Sequence, residues 1–188
     1  IANGGEMGEQ VVALIEKWRG LVAGIDQTNV DAVAQLYRDQ LYDKIEAYDI
    51  HELLIKSASE LISEHTPNYQ FVAARLISYK MRKEAYGDYQ VPPLSVIINR
   101  NILLGVYDKE IIEIYSQEEL DELEAQIKHE RDDTFTYAGM EQFRGKYLVQ
   151  DRRTKEIYET PQILYMLISM TLFGKYKDNR LKFVKDYY

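Results

Sequence analysis

Apolar side chains recur at steps of three and four along most of this chain, and helix start and stop signals punctuate them. That period belongs to the α-helix, so it restricts the fold to helices packed on one another. Val11, Leu14, Ile15, Trp18 and Val22 predict a helix from about Glu9 to Ala23, with Gly24 as its stop. Val30, Val33, Leu36, Tyr37 and Leu41 predict a second from about Asn29 to Lys44, capped by Thr28 or Asn29. A third opens at Asp49-Ile50-His51-Glu52, where an acidic cap and a Glu three residues on satisfy free N–H groups from both directions. Its stripe is Ile50, Leu53, Leu54, Ala58, Leu61 and Ile62. A fourth opens at Thr66-Pro67, with proline at the first helical position, where its missing N–H costs nothing. It carries Tyr69, Val72, Ala73, Leu76 and Ile77 to about Tyr86, and Gly87 ends it. These helices form one unit of about 85 residues.

Asp88 to Pro93 is a connector stiffened by two adjacent prolines, and a subdomain boundary is placed there. A fifth helix follows Pro93, and short helices follow Asp108. Ser116-Gln117-Glu118-Glu119 is a second capping box, opening a helix to about His129. Then the period changes. Tyr147 to Gln150 and Glu156 to Glu159 alternate and are β-rich, with the polar stretch Asp151 to Lys155 as the turn of a small hairpin. Thr160-Pro161 restarts helix, and a last helix follows Asp178. The expected fold class is mainly α, with a four-helix module, a helical region and one small β-hairpin.

Composition narrows the function. Of 188 residues 46% are hydrophobic, enough for a real core. There is no cysteine, so a disulfide framework, a cysteine zinc site and a cysteine nucleophile are excluded within this sequence. No run is long and apolar enough to span a bilayer, no basic residue precedes Lys17 to suggest a signal peptide, and a cytoplasmic location is expected. A net charge of −8 argues against nucleic acid as the main partner. Residues 107–133 carry 11 acids and 3 bases, whereas residues 134–188 carry 6 and 10. Those blocks read either as solvated helix faces or as two surfaces that face each other.

No phosphate-binding glycine loop, dinucleotide fingerprint or nucleophile elbow is present. His51, His65 and His129 are scattered, with no pair at metal-ligand spacing, and no metal is expected. Glu118, Glu119, Asp121, Glu122 and Glu124 read as a solvated face, Trp18 as a core anchor, and the 16 tyrosines as packing residues. One constellation stands out. His51 lies in the first turn of the third helix, where unpaired N–H groups favour anions, and Lys80, Arg82 and Lys83 lie near the far end of the fourth. If these helices pack antiparallel, basic side chains converge on a helix N-terminus, a triphosphate site with His51 against a base or ribose. The other reading is that Arg82 and Lys83 complement the C-terminal dipole of their own helix.

Asp49 to Glu52 through Lys56-Ser57-Ala58, then Pro67 to Leu76, then Arg82 to Gly87, resemble the large (alpha) subunit of class I ribonucleotide reductase. So do His129 to Asp132 with Phe135 and Tyr137, Lys146 to Gln150, and Glu156 to Gln162. The resemblance covers most of residues 9–188 and is closest to bacterial and bacteriophage forms. It implies that residues 1–87 are an ATP-cone, binding ATP as activator and dATP as inhibitor of overall activity, and that residues 88–188 begin the helical part of the catalytic domain. In that family the catalytic domain continues into a ten-stranded barrel with redox cysteines, needs a small radical-generating subunit and makes deoxyribonucleotides in homo-oligomers.

By the same resemblance His51 sits near the adenine nucleotide, Ile50 lines the base pocket and Lys83 lies near the phosphates. The family's threonine two residues before the aspartate is Ala47 here. Its glycine-containing strand pair is missing, with Gly4-Gly5-Glu6-Met7 at best a remnant, and because the family's barrel is not in this sequence either, a fragment or the product of a split gene is expected. The competing expectation is a non-catalytic helical interaction module with a degenerate cone that binds no nucleotide.

Overall fold

A computed structural model describes residues 13, 16–40 and 47–188, with the backbone alone for 38–40 and 47–49. The fold is mainly α-helical, as expected. Residues 16–22 are helical and stop at Gly24, whose φ of +82° is a left-handed conformation that glycine adopts without penalty. Helix α1 is Val30–Gln40, and the Asn29 side chain caps it by accepting a 2.9 Å hydrogen bond from Asp31 N–H. Residues 9–12, 14 and 15 of the expected first helix, the expected end of the second at residues 41–44, and the Gly4-Gly5-Glu6-Met7 stretch lie outside the described residues.

Two start signals act differently from expectation. Helix α2 is Ala47–Glu60, so Asp49 lies inside it and not at its cap. Glu52 does not reach back to a cap but forms an ion pair with Lys80. Helix α3 is Tyr69–Tyr86 and starts after Pro67, which heads a turn closed by a 3.1 Å hydrogen bond from Gln70 N–H. The Thr66 hydroxyl donates to Leu61 O at 2.7 Å, so it finishes the preceding helix's exit and does not cap α3. Gly87 ends α3 as expected, with φ +74° and its N–H on Lys83 O at 2.9 Å.

Among the described residues, those up to Lys80 together with Asp133–Glu141 make one compact unit, and Met81–Asp132 with Gln142–Tyr188 make another. In the first, α1 packs on α2, and Trp18, Val33, Tyr37, Leu54, Ala58, Val72 and Ile77 are buried. Its elements are tied by Asn29 N–H donating to the Tyr69 hydroxyl at 2.9 Å and by Arg75 donating to Leu21 O at 3.0 Å.

The second unit contains α4 (Leu94–Leu103), α5 (Glu110–Ile114), α6 (Gln117–Glu124), α8 (Pro161–Phe173) and α9 (Arg180–Tyr187). In chain order a 3-10 turn at His129–Thr134, the short helix α7 at Tyr137–Gln142 and a π-helical turn at Phe143–Tyr147 lie between α6 and α8, with Asp133–Glu141 belonging to the first unit. Leu94, Ile97, Ile98, Leu123, Ile163, Met166, Met170 and Val184 form its core. Burial of each such side chain contributes about 1.5–3 kcal/mol. Gly174, after α8, permits close packing there: a Cβ would lie 3.1 Å from Met170 O and 3.3 Å from Ile114 Cδ1.

The Ser116 capping box forms in full, its hydroxyl accepting from Glu119 N–H while the Glu119 carboxylate accepts from Ser116 N–H. Helix α6 ends at Glu124, short of the expected His129. The expected hairpin narrows to a single antiparallel bridge between Gln150 and Ile157, and Tyr147 joins the π-helical turn instead of a strand. Thr160 precedes Pro161 as expected but spends its hydroxyl on the Tyr86 hydroxyl, 3.1 Å away, and not on a cap.

Candidate functional site

In the first unit the site grows from α2 and the part of α3 up to Lys80. Ile50 points inward and is 6% exposed. His51, the next residue, is half-buried, and its ring stacks on Tyr79 with centroids 6.5 Å apart and planes 29° from parallel. The Lys17 ammonium lies over the same Tyr79 ring, 5.4 Å from its centroid. One position on, the buried Lys80 pairs with Glu52. The result is an aromatic platform of two stacked rings with one exposed lysine against it and a second lysine neutralised beneath. Such a platform suits a flat heteroaromatic base, and the exposed ammonium suits an anion attached to it.

His51 is the fifth residue of α2 as described, one turn further in than the sequence reading put it. The field of the helix terminus weakens over that turn, so ring stacking and not the helix dipole is what His51 offers. Lys83 belongs to the second unit, at the last turn of α3. It is exposed, donates to Gly87 O at 2.6 Å and lies 5.4 Å from the centroid of the Tyr89 ring. That contact is the C-terminal complement allowed for in the sequence, since the last carbonyls of a helix attract cations. Arg82 is half-buried beside His129, whose pKa is lowered by burial first and by the Arg82 charge second.

Tyr79 and Lys17 were not singled out from sequence. Tyr79 read as one of many packing tyrosines, and its 5% exposure agrees with that. Only the residue that stacks on it marks it as part of a site. Lys17 precedes the buried Trp18 and looked like any solvated helix lysine.

The second unit uses its polar groups otherwise. Arg180 donates to both carboxylate oxygens of Glu119 at 2.6 and 2.7 Å, and Lys185 pairs with Glu122. Glu124 accepts the Leu94 N–H at 3.0 Å. The acidic run is solvated in part, with Glu118, Asp121 and Glu122 exposed, but three of its carboxylates also hold α9 and α4, and the acidic and basic blocks do meet. Arg100 donates to Ala85 O at 2.7 Å and Tyr158 O at 3.0 Å, and Asn101 adds a bond to Tyr158 O at 3.0 Å. Glu159, fully buried, accepts from Val149 N–H at 3.0 Å and from the Tyr107 hydroxyl. Burial is the largest influence on its carboxyl and pushes its pKa up, against the lowering effect of those two hydrogen bonds.

Among the described residues no group of three or more His, Asp or Glu is placed to hold a metal, and no helix is long and apolar enough to cross a membrane.

Comparison with known proteins agrees with the resemblance read from the sequence. The family model described as ribonucleotide reductase, all-alpha domain, matches residues 133–188. The ribonucleoside-diphosphate reductase subunit alpha of Haemophilus influenzae is 44% identical over 166 residues, covering 88% of this chain. Subunit alpha of reductase 1 of Escherichia coli is 42% identical over the same share. The subunit alpha of Enterobacteria phage T4 is 42% identical over 157 residues, covering 79% of this chain. The chain spans 22%, 22% and 21% of the length of these relatives. Identity at this level, sustained through both compact units, makes the chain a member of the class I ribonucleotide reductase large-subunit family, as its N-terminal region.

Proposed function

We propose that this chain senses ATP and dATP for a ribonucleoside-diphosphate reductase and scaffolds the catalytic barrel that makes deoxyribonucleotides. The stack of His51 on Tyr79, with Lys17 across the same ring, carries the reading. The half-buried His51 ring, backed by the buried Tyr79, offers a face to adenine, and Lys17 offers charge to a phosphate. Ile50, adjoining His51, borders the base; a phosphate role for Lys83, which belongs to the second unit, rests on the family resemblance alone. The radical step needs cysteines, and this chain has none, so the reaction belongs to the rest of the large subunit working with a small radical-generating subunit. Homo-oligomers of the large subunit are part of the same reading.

Millimolar ATP or dATP should raise the melting temperature of the chain. A ligand at about 100 times its dissociation constant adds about 2.7 kcal/mol to the folded state. His51→Ala and Lys83→Ala should each abolish the shift. No shift with either nucleotide in the unaltered chain would favour the interaction module that binds none. A shift that survives Lys83→Ala would remove Lys83 from the site.

A further inference from the structure

The chain carries a formal net charge of −8, yet one short surface segment runs the other way. Residues 144–156 hold Arg144, Lys146, Arg152, Arg153 and Lys155 against Asp151 and Glu156. The segment folds as one piece. The Gln150–Ile157 bridge closes its turn, and Asp151 Oδ1 accepts the Arg153 and Thr154 N–H groups at 2.7 and 3.0 Å. Gln150 donates to Arg144 O at 3.3 Å, which sets the turn beside the π-helical turn Phe143–Tyr147 in the same unit. Lys146, Arg152, Arg153 and Lys155 are all exposed. Among the described residues none of the four is held in an ion pair, whereas Lys109, Lys175, Arg180 and Lys185 of the same unit each face a glutamate.

Two details set this segment apart from an ordinary solvated loop. Lys155 has φ +66°, a left-handed conformation that strains a residue with a Cβ and does not strain glycine. The lysine keeps its charge at the tip of the turn against that strain. Tyr147 is 50% exposed, its ring edge-on to Phe143 at 5.9 Å and beneath the Lys146 ammonium at 5.3 Å. It is an aromatic anchor fixed at the border of the cations, and tyrosine and arginine are the side chains that most often carry binding energy between proteins.

We infer that the 144–155 segment, with Tyr147 at its border, is a docking surface for a short acidic segment of a partner protein. The reach of charge selects that partner over a long polyanion. Charges act over about 8–10 Å at physiological salt, so a peptide lying on the turn meets the cations alone. A nucleic acid or an anionic membrane extends past that range and meets the acidic remainder of the chain. A protein segment also brings an apolar side chain for Tyr147. The inference is independent of the nucleotide reading.

The test uses the 188-residue chain and three fluorescein-labelled probes. They are a short peptide of glutamates around one Phe, the same peptide with Gln for every Glu, and a single-stranded DNA of mixed sequence. By fluorescence anisotropy the acidic peptide is expected to bind at least tenfold tighter than either of the others, and to weaken as salt is raised. Arg152→Gln, Arg153→Gln and Lys155→Gln, made together on this exposed turn, should lower that affinity at least tenfold with the helical circular dichroism unchanged. Tyr147→Ala should lower it at least threefold. Lys155→Gly separates binding from folding: it relieves the left-handed strain, so the melting temperature should hold or rise while affinity falls at least twofold. DNA that binds as tightly as the acidic peptide would assign the patch to nucleic acid and overturn the inference. So would equal binding of the two peptides, an affinity that the triple substitution leaves intact, or no binding of the acidic peptide at low salt.

Discussion

Both compact units tie main chain with side chains, Arg75 on Leu21 O in the first as Arg100 on Ala85 O in the second, but they differ in what their other polar groups do. In the first, Lys17 and the His51 ring gather on Tyr79, contacts that hold few backbone groups in place. In the second, Arg100 and Asn101 bind main-chain carbonyls at Ala85 and Tyr158, Glu124 binds the Leu94 N–H, and Glu119 both caps α6 and grips Arg180. A side chain that satisfies buried backbone groups is structural, because its loss strands those groups without partners. One that lies against a ring without holding backbone, as Lys17 does, is replaceable for stability and available to a ligand. The difference teaches that charge density is no guide to a binding site here: carboxylates of the most acidic stretch are fastening, while the proposed site is marked by two rings and a lysine.

That contrast is sharpest at Arg100. Replacing it with Ala should destabilise the fold by about 3 kcal/mol in urea denaturation, since two carbonyls lose a charged donor and the Tyr86 ring loses a cation 5.4 Å from its centroid. A loss below about 0.5 kcal/mol would mean that the polar groups of this unit do not hold it together. Glu119→Ala should cost about 1–2 kcal/mol, combining a lost capping box with a partly buried ion pair. Arg180→Ala made on top should add little, and full additivity would show that the pair is not coupled.

Glu159 gives the comparison a pH axis. Its pKa is raised above 4.5 in the folded chain, so the folded state holds the proton more tightly than the unfolded state does. The corresponding stability is present below pH 4.5 and is lost as pH rises through the raised value. Glu159→Gln cannot ionise, so its stability relative to the unaltered chain should improve between pH 4.5 and pH 7. A difference that stays constant across that window, read from denaturant midpoints, would remove Glu159 as a source of strain. The smallest effect is expected at the other unit. Without nucleotide, His51→Ala should change stability by no more than about 0.5 kcal/mol, while erasing the ATP-dependent shift.

Much of the fold was legible because its signals are local. Helical periodicity, Gly24 and Gly87 as stops, Asn29 as a cap and the Ser116 capping box involve residues within a few positions of one another, and backbone chemistry decides them. Misreadings came where a side chain had a distant alternative. Glu52 looked like half of a capping box but found Lys80, 28 residues away. The Thr160 hydroxyl looked like a cap but met Tyr86. The acidic run looked solvated throughout because its partners lie about 60 residues downstream. The β-rich alternation of Tyr147 to Gln150 gave a single bridge, because one pairing on each side is too little to sustain a strand.

The amino-acid order alone fixed the helical class, most helix ends, the family and the presence of His51 and Lys83 near basic neighbours. Tertiary structure decided which rings meet and which carboxylates are spent on lysine and arginine. The reason is range. A helix is chosen by groups three or four residues apart, whereas a stack such as His51 on Tyr79 or a clamp such as Glu119 on Arg180 exists only once packing has brought distant turns together.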